Sequence, residues 1–227
     1  MARIPAIVFD TETTGFTAAE IIEAAYLELG TDPMAEVTGS FLSQYKPSKA
    51  IEVGAMSVHH IVDADLYGCQ PSSTFVFPEV EYVVGHKVDY DMDLVKFAEG
   101  AQQPKRICTL ALCRHLYPEA GTHTLSAMVY YLKGPQGREM LRDAHSALAD
   151  VTNCLYVLQE IATANNLRTW EELYTLSELA RIPRIMAFGK WKGTPIAEVP
   201  RDYVMWYLKQ DEKDPYLEKA FRARMIK

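Results

Sequence analysis

The chain begins with a continuous apolar run, Ile4-Pro5-Ala6-Ile7-Val8-Phe9, that stops at Asp10-Thr11-Glu12-Thr13-Thr14-Gly15. An unbroken, β-branched run closed by threonine and glycine predicts a strand buried on both faces. Residues 20–29 (EIIEAAYLEL) repeat the pattern, Gly30-Thr31-Asp32-Pro33 turns the chain, and residues 37–45 predict a third strand, so the first three should pair as a meander. A short helix is expected at residues 57–61, a further helical segment from Pro71-Ser72-Ser73, and a fourth strand ending at Val83-Val84-Gly85. Beyond Gly85 the apolar positions recur every three or four residues, which predicts helices over 91–99, 108–115, 125–133, 144–165 and 169–181. Strands first and helices later, with one strand between helices, predict an α/β fold: a mixed sheet covered by helices. Ile182-Pro183-Arg184 closes this body. After it, residues 188–195 (FGKWKGTP) are punctuated as a hairpin-like loop, and a short amphipathic helix is expected at 203–209. The expected boundary near residue 182 divides a domain over 1–182 from a small module over 183–227.

Composition narrows the class. The chain has 227 residues, 48% hydrophobic and 23% charged, enough for one sizeable core and a small addition. No apolar run is long enough to span a membrane and no signal-like start is seen, so no membrane association is expected and the cytoplasm is the expected location. The four cysteines, Cys69, Cys108, Cys113 and Cys154, form no C-x-x-C pair, which favours reduced thiols over disulfides or a zinc site. The net charge of −7 argues weakly against a nucleic-acid binder, but it is unevenly spread. Residues 1–180 carry 12 Lys and Arg against 24 Asp and Glu, whereas residues 181–227 carry 11 against 6. An acidic body with a basic C-terminal part results.

The acids at the end of the first strand carry the chemistry. Residues two apart in a strand project to one face, so Asp10 and Glu12 lie about 6.6 Å apart on the same side. Two such carboxylates at a buried strand end repel and lose hydration, and a bound divalent cation, or a pair about 3.5–4 Å apart, removes that penalty. A bare D-x-E equally describes a turn-capping Asp10 with a solvated Glu12, so the other acids decide. Asp91 follows a strand and a glycine turn and opens a helix, where negative charge is also favoured for structural reasons alone. His145 and Asp150 are five residues apart. Five helical residues turn about 500°, so the pair converges only if His145 lies in the loop entering the helix.

Taken in order, "FDTETTG", "GHKVDYD" and "HSALAD" resemble the three motifs of the DnaQ-like (DEDDh) 3′→5′ exonucleases. The likeness spans residues 4 to about 165. "RICTLALCRHLYP", "HTLSAMVYYL" and "MSVHHI" are similar to the family's central helix, its next helix and its S-x-H-G-I loop. The resemblance implies an RNase H-like fold in which Asp10, Glu12, Asp91 and Asp150 hold two Mg²⁺ (or Mn²⁺) ions. It implies His145 as the general base for an attacking water, a role that an imidazole can fill. Thr13, Thr14 and Gly15 would lie against the terminal nucleotide, Phe16 would wedge or stack there, and His59 would approach it. Two positions depart from the pattern: Tyr90 replaces Phe, and Lys87 replaces Asn, adding a cation that touches a phosphate or reaches solvent. Asp89 and Asp93 flank Asp91, and the match to "YD" selects Asp91.

The C-terminal "FGKWKGTPIAEVPRDYVMWYL" resembles the tail of one member of that family and small stand-alone domains of unknown role. Lys190, Trp191 and Lys192 combine charge with an aromatic face, suited to phosphate contact and base stacking. Phe188 and Trp191 suit the core of a tiny domain equally well. The function expected from the resemblance is hydrolysis of DNA from a 3′ end to 5′-mononucleotides in repair or proofreading, with a single strand favoured over a duplex. The alternatives are an RNA-directed exonuclease of the same superfamily and an inactive nucleic-acid-binding scaffold.

Overall fold

Asp10 and Glu12 lie within the first strand, not beyond its end. In the computed structural model, which describes residues 3–142, 145–186 and 188–225, strand β1 spans Ile4–Thr13. It outlasts the apolar run because β2 (Ile21–Leu29) pairs with it antiparallel from Ala6↔Leu29 to Thr13↔Ile21. Those ladder bonds satisfy the backbone of the polar residues, and the register slips between Glu12 and Thr13. β3 (Val37–Lys46) continues the meander antiparallel to β2. A two-residue β4 (Gln70–Pro71) runs parallel to β3, and β5 (Val80–Gly85) and β6 (Lys105–Cys108) run parallel beside β1. The sheet order is β4-β3-β2-β1-β5-β6, so β1 is central, and Ala6, Ile7, Val8 and Phe9 are buried on both faces as the sequence predicts.

The helices mostly follow the periodicity, with instructive differences. Helix α1 (Val53–His59) starts earlier than expected and is stopped by His60 in the left-handed conformation. The segment after Pro71 makes a single 3-10 turn, Ser72–Thr74, before Phe75 enters the core. Helix α2 is only Val88–Met92. The chain after it turns away, and the Lys96 carbonyl accepts the Phe77 N–H at 2.8 Å. Helices α3 (Thr109–Leu116), α4 (Leu125–Lys133) and the short α5 (Gly137–Met140) lead to α6 (Ala147–Ala164). The expected start of α6 at Ala144 lies outside the described residues. Helix α6 buries Val151, Cys154, Val157, Leu158 and Ile161 and packs against β1 and β2.

The chain forms two compact units, residues 1–177 and 178–227, with the division inside α7 (Trp170–Ala180). The second unit has its own core of Met186, Ile196, Val199, Val204, Tyr207, Leu217, Ala220 and Phe221. An Ile185↔Pro195 bridge closes its hairpin-like loop, followed by α8 (Arg201–Tyr207) and α9 (Pro215–Met225). All four cysteines are free thiols, and among the described residues no helix is long and apolar enough to cross a membrane.

Candidate active site

Three separate elements bring the acids together. Strand β1 presents Asp10 and Glu12 on the side covered by α6. Helix α6 is capped by Ser146, whose hydroxyl accepts the Ala149 N–H at 3.4 Å, and carries Asp150 near its start. Carboxylate oxygens of Asp10, Glu12 and Asp150 lie within 4.8 Å of one another. The third element is the β5–α2 turn. A Cβ on Gly85 would sit 3.1 Å from the Phe9 carbonyl oxygen, so glycine lets this turn pass closely beside β1. Lys87 then adopts φ +80°, and α2 directs Asp91 inward, where it is 5% exposed. Its Oδ1 accepts the Thr11 N–H at 3.1 Å and the Thr11 hydroxyl at 2.6 Å, which locks it to the strand between Asp10 and Glu12. Asp89 and Asp93 instead pair with Arg106 at 3.3 and 3.5 Å, so the neighbouring acids do not compete for the site.

His145 lies in the loop entering α6, as convergence with Asp150 demands. It has φ +71°, is exposed, and places its N–H 3.5 Å from Asp150 Oδ1. The Thr13–Gly15 turn is tightly held. Thr14 is fully buried, and its N–H and hydroxyl bond to the Glu20 carbonyl and N–H at 2.9 and 3.0 Å. Gly15 has φ +144°, a conformation that L side chains rarely adopt. His59 is 7% exposed. Its Nδ1 accepts the Ile61 N–H, so the proton resides on Nε2, which donates to the Thr13 carbonyl at 3.3 Å. Both ring nitrogens are engaged by main chain, and the contact of His59 toward the acids' strand is made to Thr13. Phe16 is 85% exposed, with its ring 6.3 Å from that of Tyr90, and Lys87 Nζ lies 5.1 Å from the Tyr90 ring on the same motif.

Burial and mutual repulsion raise the acids together. Burial is the main cause for Asp10, followed by Asp91, Asp150, Glu12 and Glu23, and its carboxyl is held well above the usual range. Burial, then Asp150, Glu23 and Asp91, pushes Glu12 from 4.5 to about 8. Burial moves Asp91 up to about 6 against the lowering effect of its Thr11 hydrogen bonds, and also raises Asp150. Among the described residues no Lys or Arg forms an ion pair with Asp10, Glu12 or Asp150.

A carboxyl raised in the fold keeps a proton that the unfolded chain has lost, so stability falls as pH climbs between the two values. For Glu12 that window runs from 4.5 to about 8. With excess EDTA the protein is expected to melt at a higher temperature at pH 5 than at pH 8. Adding Mg²⁺ at pH 8 should remove the difference, with protons released on binding. Melting curves independent of pH in EDTA would refute this picture.

The sequence reading missed two contributors. Glu23 is 6% exposed and stands opposite Glu12 in the β1–β2 ladder. Its Oε1 accepts the Ala147 N–H and its Oε2 the Gln44 amide, both at 3.0 Å, so it ties the sheet to the start of α6. An acid inside the apolar run EIIEAAYLEL was the available signal. Tyr90 is the other. Its hydroxyl donates to the Gly15 carbonyl at 3.2 Å and lies 3.1 Å from Thr13 Oγ1, a link that a phenylalanine at this position lacks.

Solved structures share this architecture. Exonuclease X in complex with 5′ overhanging duplex DNA matches with a TM-score of 0.56 and 20% identity, over 76% of this chain and 99% of that one. The zinc-bound complex of E. coli exonuclease I with single-stranded DNA matches with a TM-score of 0.61 and 16% identity, over 93% of this chain and 60% of that one. Its complex with a 5cy-dA13 oligonucleotide gives 0.56 and 15%, over 79% and 43%. The chain thus spans only 43 to 60% of these two exonuclease I chains. No curated protein matches. A family model described as "Putative quorum-sensing-regulated virulence factor" matches residues 174–215. The exonuclease family model RNase_T matches residues 7–158, which include every acid of the cluster together with His145. The chain belongs to this DnaQ-like exonuclease family.

Proposed function

We propose that the protein is a two-metal-ion 3′→5′ exonuclease that removes 5′-mononucleotides from DNA ends, single strands in preference to duplexes, in repair or proofreading. The observation that carries this reading is the cluster of Asp10, Glu12 and Asp150, without a Lys or Arg ion-pair partner among the described residues and beside the buried Asp91. An all-oxygen donor set of this kind suits Mg²⁺ or Mn²⁺ better than zinc. These four carboxylates would hold two ions, which when bound stabilise charge on the phosphoryl oxygens and acidify the attacking water. His145 takes the proton from that water, and its own exposure gives it access to an incoming strand. The Thr13–Gly15 turn, fixed by Tyr90 and His59, forms one wall for the terminal nucleotide. Phe16 offers its exposed ring for stacking, and Lys87 lies close enough to Asp91 to favour its ionised form and to meet a phosphate. Lys190, Trp191 and Lys192 belong to the second unit and add contacts to the strand. DNA is favoured because the related exonucleases X and I are described in complexes with DNA. Four free thiols fit a reducing compartment, the cytoplasm.

The test uses 5′-labelled single-stranded DNA and matched RNA with Mg²⁺, Mn²⁺ or EDTA, resolved on a denaturing gel. A metal-dependent ladder shortening from the 3′ end of DNA, with RNA spared, is expected. A ladder on RNA alone would move the protein to RNA processing. The absence of cleavage on both would overturn the enzymatic reading in favour of a scaffold.

A further inference from the structure

The second unit leaves part of its chemistry unused by its own fold. Its loop turns at Gly189 (φ +71°) and Gly193 (φ +84°), pinned by Met186 N–H to Thr194 O and Gly193 N–H to Met186 O, both at 2.9 Å. This lays the loop against α8. The Cβ position of Gly189 is 3.7 Å from Tyr203 Oη, and the ring of Trp191 is 6.4 Å from that of Tyr203. Tyr203 in turn lies 5.3 Å from the ring of Trp206, and Lys190 Nζ sits 5.3 Å from the Trp191 ring. A chain of contacts, Lys190–Trp191–Tyr203–Trp206, therefore runs from the loop onto the helix. Trp191 and Tyr203 are half-buried against the small core, but Trp206 is 54% exposed, and Phe188 in the same loop is 47% exposed. Burial of a tiny core explains Trp191 and Tyr203. It does not explain an indole held mostly in water beside them.

From this geometry we propose that the row Trp191–Tyr203–Trp206 is a stacking platform for single-stranded nucleic acid, with Lys190 and Lys192 contacting its phosphates. Aromatic faces in series accept bases of any sequence, and cations beside them hold the backbone. Charge favours this occupant. The unit carries 11 Lys and Arg against 7 Asp and Glu, whereas the rest of the chain is strongly acidic. Lys192 and Arg201 are exposed on the same loop and at the start of α8. A polyanion with flat bases meets both features, whereas an apolar protein surface meets only one. The platform deepens the proposed exonuclease reading, because it gives the enzyme a second grip on the strand it shortens.

The test is fluorescence anisotropy of the full chain with 5′-labelled dT oligonucleotides in EDTA, across a salt series, with tryptophan quenching recorded in parallel. Trp206→Ala is expected to weaken binding by about 10-fold or more, as loss of one stacked base would. It should also remove part of the quenching while leaving the melting temperature unchanged. Lys190→Ala with Lys192→Ala should lower the slope of log K against log salt by about 1.4. Unaltered affinity and slope in folded variants would overturn the platform and assign the exposed indole to a protein partner. Metal-dependent shortening of DNA by the wild-type chain is scored separately, so failure of the exonuclease reading is distinguishable from failure of the platform.

Discussion

Asp10→Asn is expected to abolish hydrolysis and, in the same molecule, to raise the melting temperature of the metal-free protein. The two effects share one cause. Asp10 is pushed toward its neutral form, by burial first and then by Asp91, Asp150, Glu12 and Glu23. An amide of the same size removes the charge that the fold tolerates poorly. It also replaces the charged carboxylate that lies beside those of Glu12 and Asp150 with a neutral amide, a weaker ligand for a divalent cation. Losing several kcal/mol of charge stabilisation at about 1.4 kcal/mol per decade predicts a fall of about 10³-fold or more. Single-turnover cleavage with Mg²⁺ and a thermal scan in EDTA read the two effects separately. Full activity in the folded variant would sink the site. A lower melting temperature would make Asp10 a structural residue.

The second large effect is expected at His145. His145→Ala should lower kcat by about 10²–10⁴-fold with little change in KM, the signature of a missing general base. The side chain is exposed, and the 3.5 Å contact to Asp150 is made by the His145 main-chain N–H, which alanine keeps, so the variant should remain folded. Exposure also predicts that free imidazole restores part of the lost rate. A variant as fast as the wild type would move the proton acceptor elsewhere.

The degree to which the molecule was legible in its sequence follows from how local each signal is. The central strand, the meander and α4 were readable because their periodicity is complete within a few residues. Asp91 was separable from Asp89 and Asp93 only through its motif. The structure supplies the physical reason: Asp91 meets Thr11 while its neighbours meet Arg106. Strand β6 (KRIC) was not legible, since four residues with two cations carry no strand pattern and it exists by pairing with β5. Helix α9 was missed because Pro215 at its start reads as a breaker, although the first turn of a helix accepts proline. The part played by Glu23 depends on a register and on a helix that begins 124 residues later, and no window of sequence contains both.

That last separation has a consequence for the protein while it is being made. The β1–β2–β3 meander is local and can pair as soon as it emerges from the ribosome. At that stage Asp10, Glu12 and Glu23 would stand on a bare sheet face in water, with nothing to desolvate them. Only when the segment around Ala147 arrives does Glu23 receive its N–H and Asp150 join the other acids. A nascent or prematurely ended chain shorter than 145 residues thus holds most of the acids but neither the closing acid nor the base. Unfinished copies are therefore expected to be harmless to nucleic acid, and the ability to cut arrives together with the burial of the sheet.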